Sequence, residues 1–246
     1  MRIRFIINPI AGTGKQTGIE DIIAKHGPLL DSAKFYAYLE GHWRGTPAPT
    51  GSFFELYKKS NDGKIQSIVN SYFSKISFIN TNKSNILDKN PLNFQWLGFI
   101  KILFPNSKII HCTRNLKDTA LSIYKNAFDI NSIVWSNNQD DLVKYISIYL
   151  DLMRFWEKKL SNFIYKLNYE KLVENKEEEI QKILNFCELE WEEDCLNFNE
   201  KASPIKTVSV TQARKPIYKT SLNSYEKYFI YLDMFKKIEE IEKKIQ

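Results

Sequence analysis

Arg114 and Ser122, an arginine and a serine eight residues apart, have the types and spacing to hold a phosphate monoester. The apolar run from Lys108 to Cys112 is typical of a buried strand, and helical spacing follows from Asp118 to Ala127. The pattern therefore predicts that Arg114 ends a strand and that Ser122 lies inside the next helix. A guanidinium forms a bidentate fork with phosphate oxygens, and a helix terminus adds a favourable dipole.

Strand-like and helical segments alternate along the chain, which predicts an α/β fold with a central parallel sheet flanked by helices on both faces. Apolar runs predict strands at 2–8, 76–79, 108–112 and 163–167. Helical spacing predicts helices at 18–26, 65–73, 91–104, 118–127, 140–160 and 176–187. Residues 88–91 are interpreted as a turn, and residues 238–246 as a charged, solvent-exposed helical tail.

Composition indicates one packed domain, residues 1–246, because 246 residues suffice for a real core but not for two comfortable domains. The net charge of +6 suits an anionic ligand and does not by itself indicate nucleic acid. Three cysteines, Cys112, Cys187 and Cys195, lack the spacing of a disulfide framework or a metal site. We interpret them as mostly buried thiols of a reducing compartment and therefore expect a cytoplasmic protein. No apolar run has membrane-spanning length and no signal-peptide pattern is present, so we expect no integral membrane segment.

Four ordered blocks lie between residues 79 and 227: Asp88-Lys89-Asn90-Pro91, Arg114 to Ser122, Asn168-Tyr169-Glu170-Lys171-Leu172-Val173, and Thr207 to Tyr218. Together they resemble the sulfotransferases that use 3'-phosphoadenylyl sulfate (PAPS), especially the bacterial enzymes linked to tetratricopeptide repeats and the tyrosylprotein sulfotransferases. The resemblance implies a P-loop-like sulfotransferase fold. It also implies in-line transfer of a sulfuryl group from PAPS, as co-substrate, to a hydroxyl acceptor, without a metal.

The resemblance assigns a role to residues of each block. It places Lys89 and Ser209 at the sulfuryl group and the bridging oxygen, where negative charge builds up as the bond breaks. It places the nucleotide against the other blocks: Arg114 and Ser122 at the 3'-phosphate, Tyr169 and Thr207 at the adenosine, and Arg214 or Lys215 closing over the 3'-phosphate. A base must take the acceptor proton, and the candidates are Glu40 and His42, of which Glu40 is preferred because the resembled enzymes favour a glutamate.

The first loop departs from the family pattern. The family carries Pro-Arg-Ser-Gly-Thr-Thr, whereas this chain has Pro9-Ile10-Ala11-Gly12-Thr13-Gly14-Lys15. By resemblance, Gly12, Thr13, Gly14 and Lys15 would hold the 5'-phosphosulfate through backbone amides, with Lys15 supplying the charge of the missing arginine. Residues 1–26 also resemble the opening of diacylglycerol kinase-like lipid kinases, but the chain lacks that family's Gly-Gly-Asp-Gly-Thr motif.

Two other hypotheses compete with sulfuryl transfer. Because Ile10 replaces the arginine, the chain could be a non-catalytic protein that binds 3'-phosphoadenosine through a degenerate loop. A kinase would need acidic magnesium ligands near the glycine loop, and no acidic pair is placed convincingly for that role. The acceptor stays open among peptides, lipids, sugars and small molecules, with its pocket expected from residues 27–60 and 128–135.

Overall fold

A computed structural model of the protein describes residues 2–7, 62–75, 85–126, 128, 134–197 and 222–245. Within these ranges four parallel strands form one sheet in the order β2-β1-β3-β4. The strands are β1 (Arg2–Ile7), β2 (Asn85–Lys89), β3 (Lys108–Thr113) and β4 (Ile164–Asn168). Strand β2 lies on one side of β1, and β3 lies on the other side. The order of the strands therefore reverses between β1 and β3, which makes their carboxyl ends a topological switch point. Sheets of this kind usually bind ligands in the crevice at that point.

Seven α-helices accompany the sheet in the described ranges: α1 (Asp62–Lys75), α2 (Leu97–Leu103), α3 (Leu116–Tyr124), α4 (Gln139–Lys159), α5 (Tyr169–Glu174), α6 (Lys176–Cys187) and α7 (Met234–Ile245). Short 3-10 turns cover Pro91–Trp96, Val134–Asn137, Glu193–Cys195 and Ser224–Tyr228. Asparagine side chains cap three of the helices: the side-chain oxygens of Asn115, Asn138 and Asn168 accept backbone N–H groups of α3, α4 and α5. These caps satisfy donors that have no partner inside the helix.

Helices cover both faces of the sheet. Ile109 and Ile110 are consecutive in β3 and therefore point to opposite faces. Ile109 packs in a cluster with residues of α1, α2 and α4, whereas Ile110 packs with Leu167 and with Cys187 of α6. The predicted α/β architecture is thus confirmed, and it sets the carboxyl ends of the strands between two helical layers.

The carboxyl-terminal helix is part of the core, so its interpretation as a solvent-exposed tail is wrong. Met234, Phe235 and Ile238 of α7 are fully buried. They pack against α3 and α4 through residues such as Leu121 and Leu142. The charged residues of α7 occupy its other face, as expected of an amphipathic helix.

The turn predicted at residues 88–91 is also wrong. Asp88 and Lys89 end strand β2, where they pair with Phe5 and Ile6 of β1. Their types are poor strand formers, but backbone pairing with a central strand outweighs that weak preference. The helix predicted at 91–104 begins as a 3-10 helix, Pro91–Trp96, and is α-helical only over Leu97–Leu103, while helix α5 was not predicted. The other predicted strands and helices within the described ranges are confirmed, and the helix at 18–26 and the strand at 76–79 lie outside the described residues. No helix in the described part of the chain has the length and apolar character needed to cross a membrane.

Candidate active site

Three of the candidate residues lie at the carboxyl edge of the sheet. Lys89 ends β2, Arg114 directly follows β3, and Tyr169 directly follows β4. Strand β1 lies between β2 and β3, so the ends of those two strands are two strand spacings, roughly 10 Å, apart. Lys89 and Arg114 therefore lie on either side of the carboxyl end of β1, at the same edge of the sheet.

Arg114 is held from two sides. Its Nη2 lies 3.7 Å from Oδ2 of Asp118, and its guanidinium carbon lies 5.3 Å from the centroid of the Tyr169 ring. The guanidinium side chain is 21% exposed, which leaves part of it open to a ligand. A guanidinium held by an anion and an aromatic ring loses less freedom when it binds a phosphate.

The turn after Arg114 is tied to the start of α5. The backbone N–H of Asn115 donates to Oε1 of Glu170 at 2.8 Å. The Asn115 side chain accepts from the backbone N–H groups of Lys117 and Asp118 at 3.0 and 3.1 Å. Of the two residues that follow β4, Tyr169 places its ring beside Arg114, and Glu170 holds the turn after β3 with its carboxylate. The role of Glu170 was not predicted from the sequence.

Ser122 lies in α3, four residues after Asp118, and the two therefore share one helix face. Its side chain is half-buried, and its carbonyl accepts from Nδ2 of Asn126 at 2.5 Å. Arg114 and Ser122 consequently belong to one strand–turn–helix unit, as the sequence predicts.

At the other end of the sheet edge, the Asp88 carboxylate is fixed by two donors. The hydroxyl of Tyr72 donates to it at 2.8 Å and Nδ2 of Asn93 at 3.3 Å. Burial, and then the carboxylate itself, raise the pKa of Tyr72, which therefore keeps its proton and stays a donor. The exposed side chain of Lys89 follows this anchored residue directly.

His111 is a buried core histidine. Its Nε2 lies 2.5 Å from the Tyr149 hydroxyl, and its Nδ1 lies 3.2 Å from Oε1 of Glu157. The hydrogen bond with His111, together with the charge of Lys166 3.5 Å away, lowers the pKa of Glu157. Both ring nitrogens have partners inside the protein, so His111 is held in place.

A cavity of about 200 Å³ lies beside this histidine, between β3, α3 and α4. Its walls are mostly apolar and include Ile123, Ile146 and Met153, with Arg114 also contributing. The cavity therefore adjoins the turn that follows β3.

The other predicted site residues lie outside the described residues: Gly12, Thr13, Gly14, Lys15, Glu40, Thr207, Ser209, Arg214 and Lys215. Their assignment stays a prediction from the sequence. The structure brings Tyr169 against Arg114, places Ser122 in the helix that follows Arg114, and puts Lys89 at the end of β2 along the same sheet edge.

A family model described as the sulfotransferase family matches residues 15–193. The chain belongs to the sulfotransferase family. The match includes Lys89, Arg114, Ser122 and Tyr169, all among the described residues, and it begins at Lys15 of the atypical first loop.

Two curated proteins are similar in sequence. An uncharacterized protein of Aquifex aeolicus (strain VF5) is 35% identical over 193 residues, which cover 73% of this chain and 25% of that protein. A putative protein-tyrosine sulfotransferase of Caenorhabditis briggsae is 30% identical over 115 residues, which cover 47% of this chain and 41% of that protein. The matched part of this chain thus spans a quarter and about two fifths of the lengths of these relatives.

Two solved structures share the fold. The sulfotransferase domain from the Synechococcus PCC 7002 olefin synthase aligns with a TM-score of 0.56 at 16% identity, covering 100% of this chain and 95% of that domain. The sulfotransferase domain from the curacin biosynthetic pathway aligns with a TM-score of 0.51 at 11% identity, covering 99% of this chain and 96% of that domain. The predicted sulfotransferase fold is confirmed.

Proposed function

We propose that this chain is a single sulfotransferase domain, residues 1–246, that moves a sulfuryl group from PAPS to a hydroxyl acceptor. The observation that carries the proposal is the grouping at the sheet edge: Arg114 against Tyr169, with Ser122 on the same unit and Lys89 two strands away. A donor with a phosphate at one end and a reacting sulfuryl group at the other matches that separation.

In this proposal the 3'-phosphate binds the Arg114 guanidinium, whose fork presents two N–H groups to phosphate oxygens. The Ser122 hydroxyl donates to the same phosphate, and Tyr169 contacts the adenosine. Thr207 also contacts the adenosine, and Arg214 or Lys215 closes over the phosphate. Arg114 is already oriented by Asp118 and Tyr169, so little conformational entropy is lost on binding.

The transfer step breaks the bond between sulfur and the bridging oxygen while the acceptor oxygen bonds to sulfur from the opposite side. The bond electrons go to the bridging phosphate oxygen, and Lys89 and Ser209 stabilise the charge that develops there. Glu40 takes the acceptor proton. The products are a sulfate ester and adenosine 3',5'-bisphosphate, and no metal takes part.

The first loop would hold the 5'-phosphosulfate through the backbone amides of Gly12, Thr13 and Gly14, which depend on backbone shape rather than on side chains. Lys15 would supply the positive charge. Ile10 at the usual arginine position favours the second candidate function, a non-catalytic protein that binds 3'-phosphoadenosine.

Calorimetry with adenosine 3',5'-bisphosphate tests the nucleotide site. We expect wild type to bind and Arg114→Ala to bind at least about thirtyfold more weakly, which corresponds to about 2 kcal/mol for a lost charge-assisted contact. Lys158→Ala is the control, because Lys158 is an exposed cation in the last turn of α4 and does not line the cavity beside Arg114. Equal binding by wild type and Arg114→Ala would contradict the assignment of the site.

Turnover of PAPS in the presence of EDTA separates the candidate functions. A sulfotransferase transfers the sulfuryl group from PAPS under these conditions. A kinase would instead use a nucleoside triphosphate, and it would lose that activity when EDTA removes magnesium. A non-catalytic protein would bind the nucleotide without turnover. A tyrosyl peptide is the first acceptor to try, because one relative is described as a putative protein-tyrosine sulfotransferase. In the absence of turnover, Ile10→Arg shows whether restoring the arginine restores transfer.

A further inference from the structure

The cavity between β3, α3 and α4 is lined in part by a buried threonine of α3. Thr119 is 5% exposed, and its backbone N–H donates to the Asn115 carbonyl one turn earlier at 2.9 Å. A threonine hydroxyl inside a helix can donate to that same carbonyl. The hydroxyl of Thr119 instead makes no hydrogen bond with any residue that the structure describes. A buried hydroxyl without a partner is unfavourable, so a group that bonds it would be stabilising.

The charged side chains of the lining are already paired with opposite charges. The pairs are Arg114 with Asp118, Arg154 with Asp151, and Lys166 with Glu157. An ionic ligand would have to compete with these pairs and lose its own hydration on entering. The cavity therefore favours an uncharged ligand.

The uncharged polar side chains of the lining, apart from Thr119, also have partners. The contacts are His111 with Tyr149, Thr113 with the Leu167 carbonyl, and Tyr145 with Gln95. Within the described lining, Thr119 is thus the polar side chain that a ligand can bond without breaking an existing contact.

The remaining walls are apolar. They are formed by residues such as Leu116, Ile123, Ile146 and Met153, around a volume of about 200 Å³. An apolar cavity of about 150 Å³ holds a benzene molecule, so this volume suits a molecule of about nine heavy atoms. A buried water needs about two to four polar partners. The described lining offers one such group, which favours a small apolar molecule over water.

The cavity is separate from the position proposed for sulfuryl transfer. Its described lining includes Arg114 but none of Lys89, Ser122 and Tyr169. Lys89 lies at the end of β2, two strands away from β3 along the sheet edge. A molecule in the cavity would therefore lie beside Arg114 and away from the reacting end of the donor.

We propose that this cavity binds a small, uncharged, mostly apolar molecule of about nine heavy atoms that carries one hydrogen-bonding oxygen. The Thr119 hydroxyl donates to that oxygen, and the apolar walls cover the rest of the molecule. The ligand is distinct from the sulfuryl acceptor. The inference goes beyond the proposed function and does not depend on it, because binding in the cavity needs neither PAPS nor transfer.

Acetophenone and isopropylbenzene are the probes. They have the same number of heavy atoms and nearly the same shape, but only acetophenone carries an oxygen that accepts a hydrogen bond. Acetophenone also has no hydroxyl group to accept a sulfuryl group. NMR titrations follow the methyl groups of Ile123 and Ile146, which line the cavity, with Ile68 of α1 as the reference. We expect both probes to shift the first two methyl groups and to leave Ile68 unchanged.

Thr119→Val replaces the hydroxyl with a methyl group of similar size. We expect the ratio of the affinity for acetophenone to the affinity for isopropylbenzene to fall about fivefold or more in this variant, as for one lost hydrogen bond. Ser147→Ala removes a hydroxyl of α4 outside the cavity and should keep the wild-type ratio. Because the Thr119 hydroxyl has no partner among the described residues, the Tm of ligand-free Thr119→Val should not fall.

Three results would overturn the inference. In the first, neither probe shifts Ile123 and Ile146 of wild type. In the second, Thr119→Val keeps the wild-type ratio of affinities. In the third, the Tm of ligand-free Thr119→Val falls, because the hydroxyl would then be bonded within the protein itself. If the probes bind as expected but wild type does not bind adenosine 3',5'-bisphosphate, the proposed function is wrong and the cavity site stands.

Discussion

The guanidinium carbon of Arg114 lies 5.3 Å from the centroid of the Tyr169 ring, and the two residues follow neighbouring parallel strands. They are 55 residues apart in the sequence. The next residue of each loop is also in contact, because the Asn115 N–H donates to the Glu170 carboxylate. The block that begins at Arg114 and the block 168–173 are thus joined by two adjacent contacts, which orient Arg114 before a ligand binds.

Substitution of Tyr169 tests the ring contact. We expect Tyr169→Leu to weaken binding of adenosine 3',5'-bisphosphate at least about two- to fivefold, the value of a cation–π contact of about 0.5–1 kcal/mol. Tyr169→Phe keeps the aromatic face and should bind within about twofold of wild type. Calorimetry measures both, with Tyr231→Leu, at a 74% exposed tyrosine, as control. Binding of Tyr169→Leu at wild-type strength would show that the ring is dispensable.

Lys89 is the residue for a kinetic prediction. If its ammonium stabilises charge only in the transition state, Lys89→Ala should lower kcat about a hundredfold or more and change the KM for PAPS little. Lys158→Ala, at an exposed lysine in the last turn of α4, should leave both constants unchanged. A loss confined to KM would mean that Lys89 binds the donor without assisting transfer.

The lowered pKa of Glu157 should be visible in the pH dependence of the free energy of unfolding. The hydrogen bond with His111 and the nearby charge of Lys166 lower the pKa of Glu157 below its ordinary value of 4.5. A lowered carboxyl pKa contributes stability above the unfolded-state pKa, and that contribution is lost as the pH falls through the folded-state pKa. We therefore expect the advantage of wild type over Glu157→Gln to shrink as the pH falls from 6 to 3.

Urea unfolding at stepped pH values measures this difference. Glu174→Gln, at an exposed glutamate on α5, is the control and should follow the wild-type curve. Parallel curves for wild type and Glu157→Gln over the whole range would disprove the coupling of Glu157 to His111 and Lys166.

Local patterns predicted much of the fold, including the strand–turn–helix unit that carries Arg114 and Ser122. The apolar run before Arg114 and the helical spacing after it predicted β3 and α3, because a buried strand and an amphipathic helix leave a strong local signal. Strand β2 was missed, since Asp88 and Lys89 are held there by pairing with β1 rather than by their own preference.

Long-range contacts gave no such signal. The carboxylate of Asp118 and the N–H of Asn223 are 105 residues apart. A buried acid and a backbone donor form no periodic pattern, so the contact appears only when the chain is folded. The same holds for Glu170, whose role depends on the position of the Asn115 N–H across the sheet edge.

The packing of α7 yields a stability prediction. Ile238 is fully buried against α3 and α4, so Ile238→Ala should lower the free energy of unfolding by about 2–4 kcal/mol through lost burial and the cavity left behind. Lys236→Ala, at an exposed position of the same helix, should change it by less than about 0.5 kcal/mol. Urea unfolding at pH 7 measures both. Equal stability of the two variants would mean that α7 is a solvated tail after all, and the ion pairs of Lys117 with Glu239 and Glu242 would then hold nothing in place.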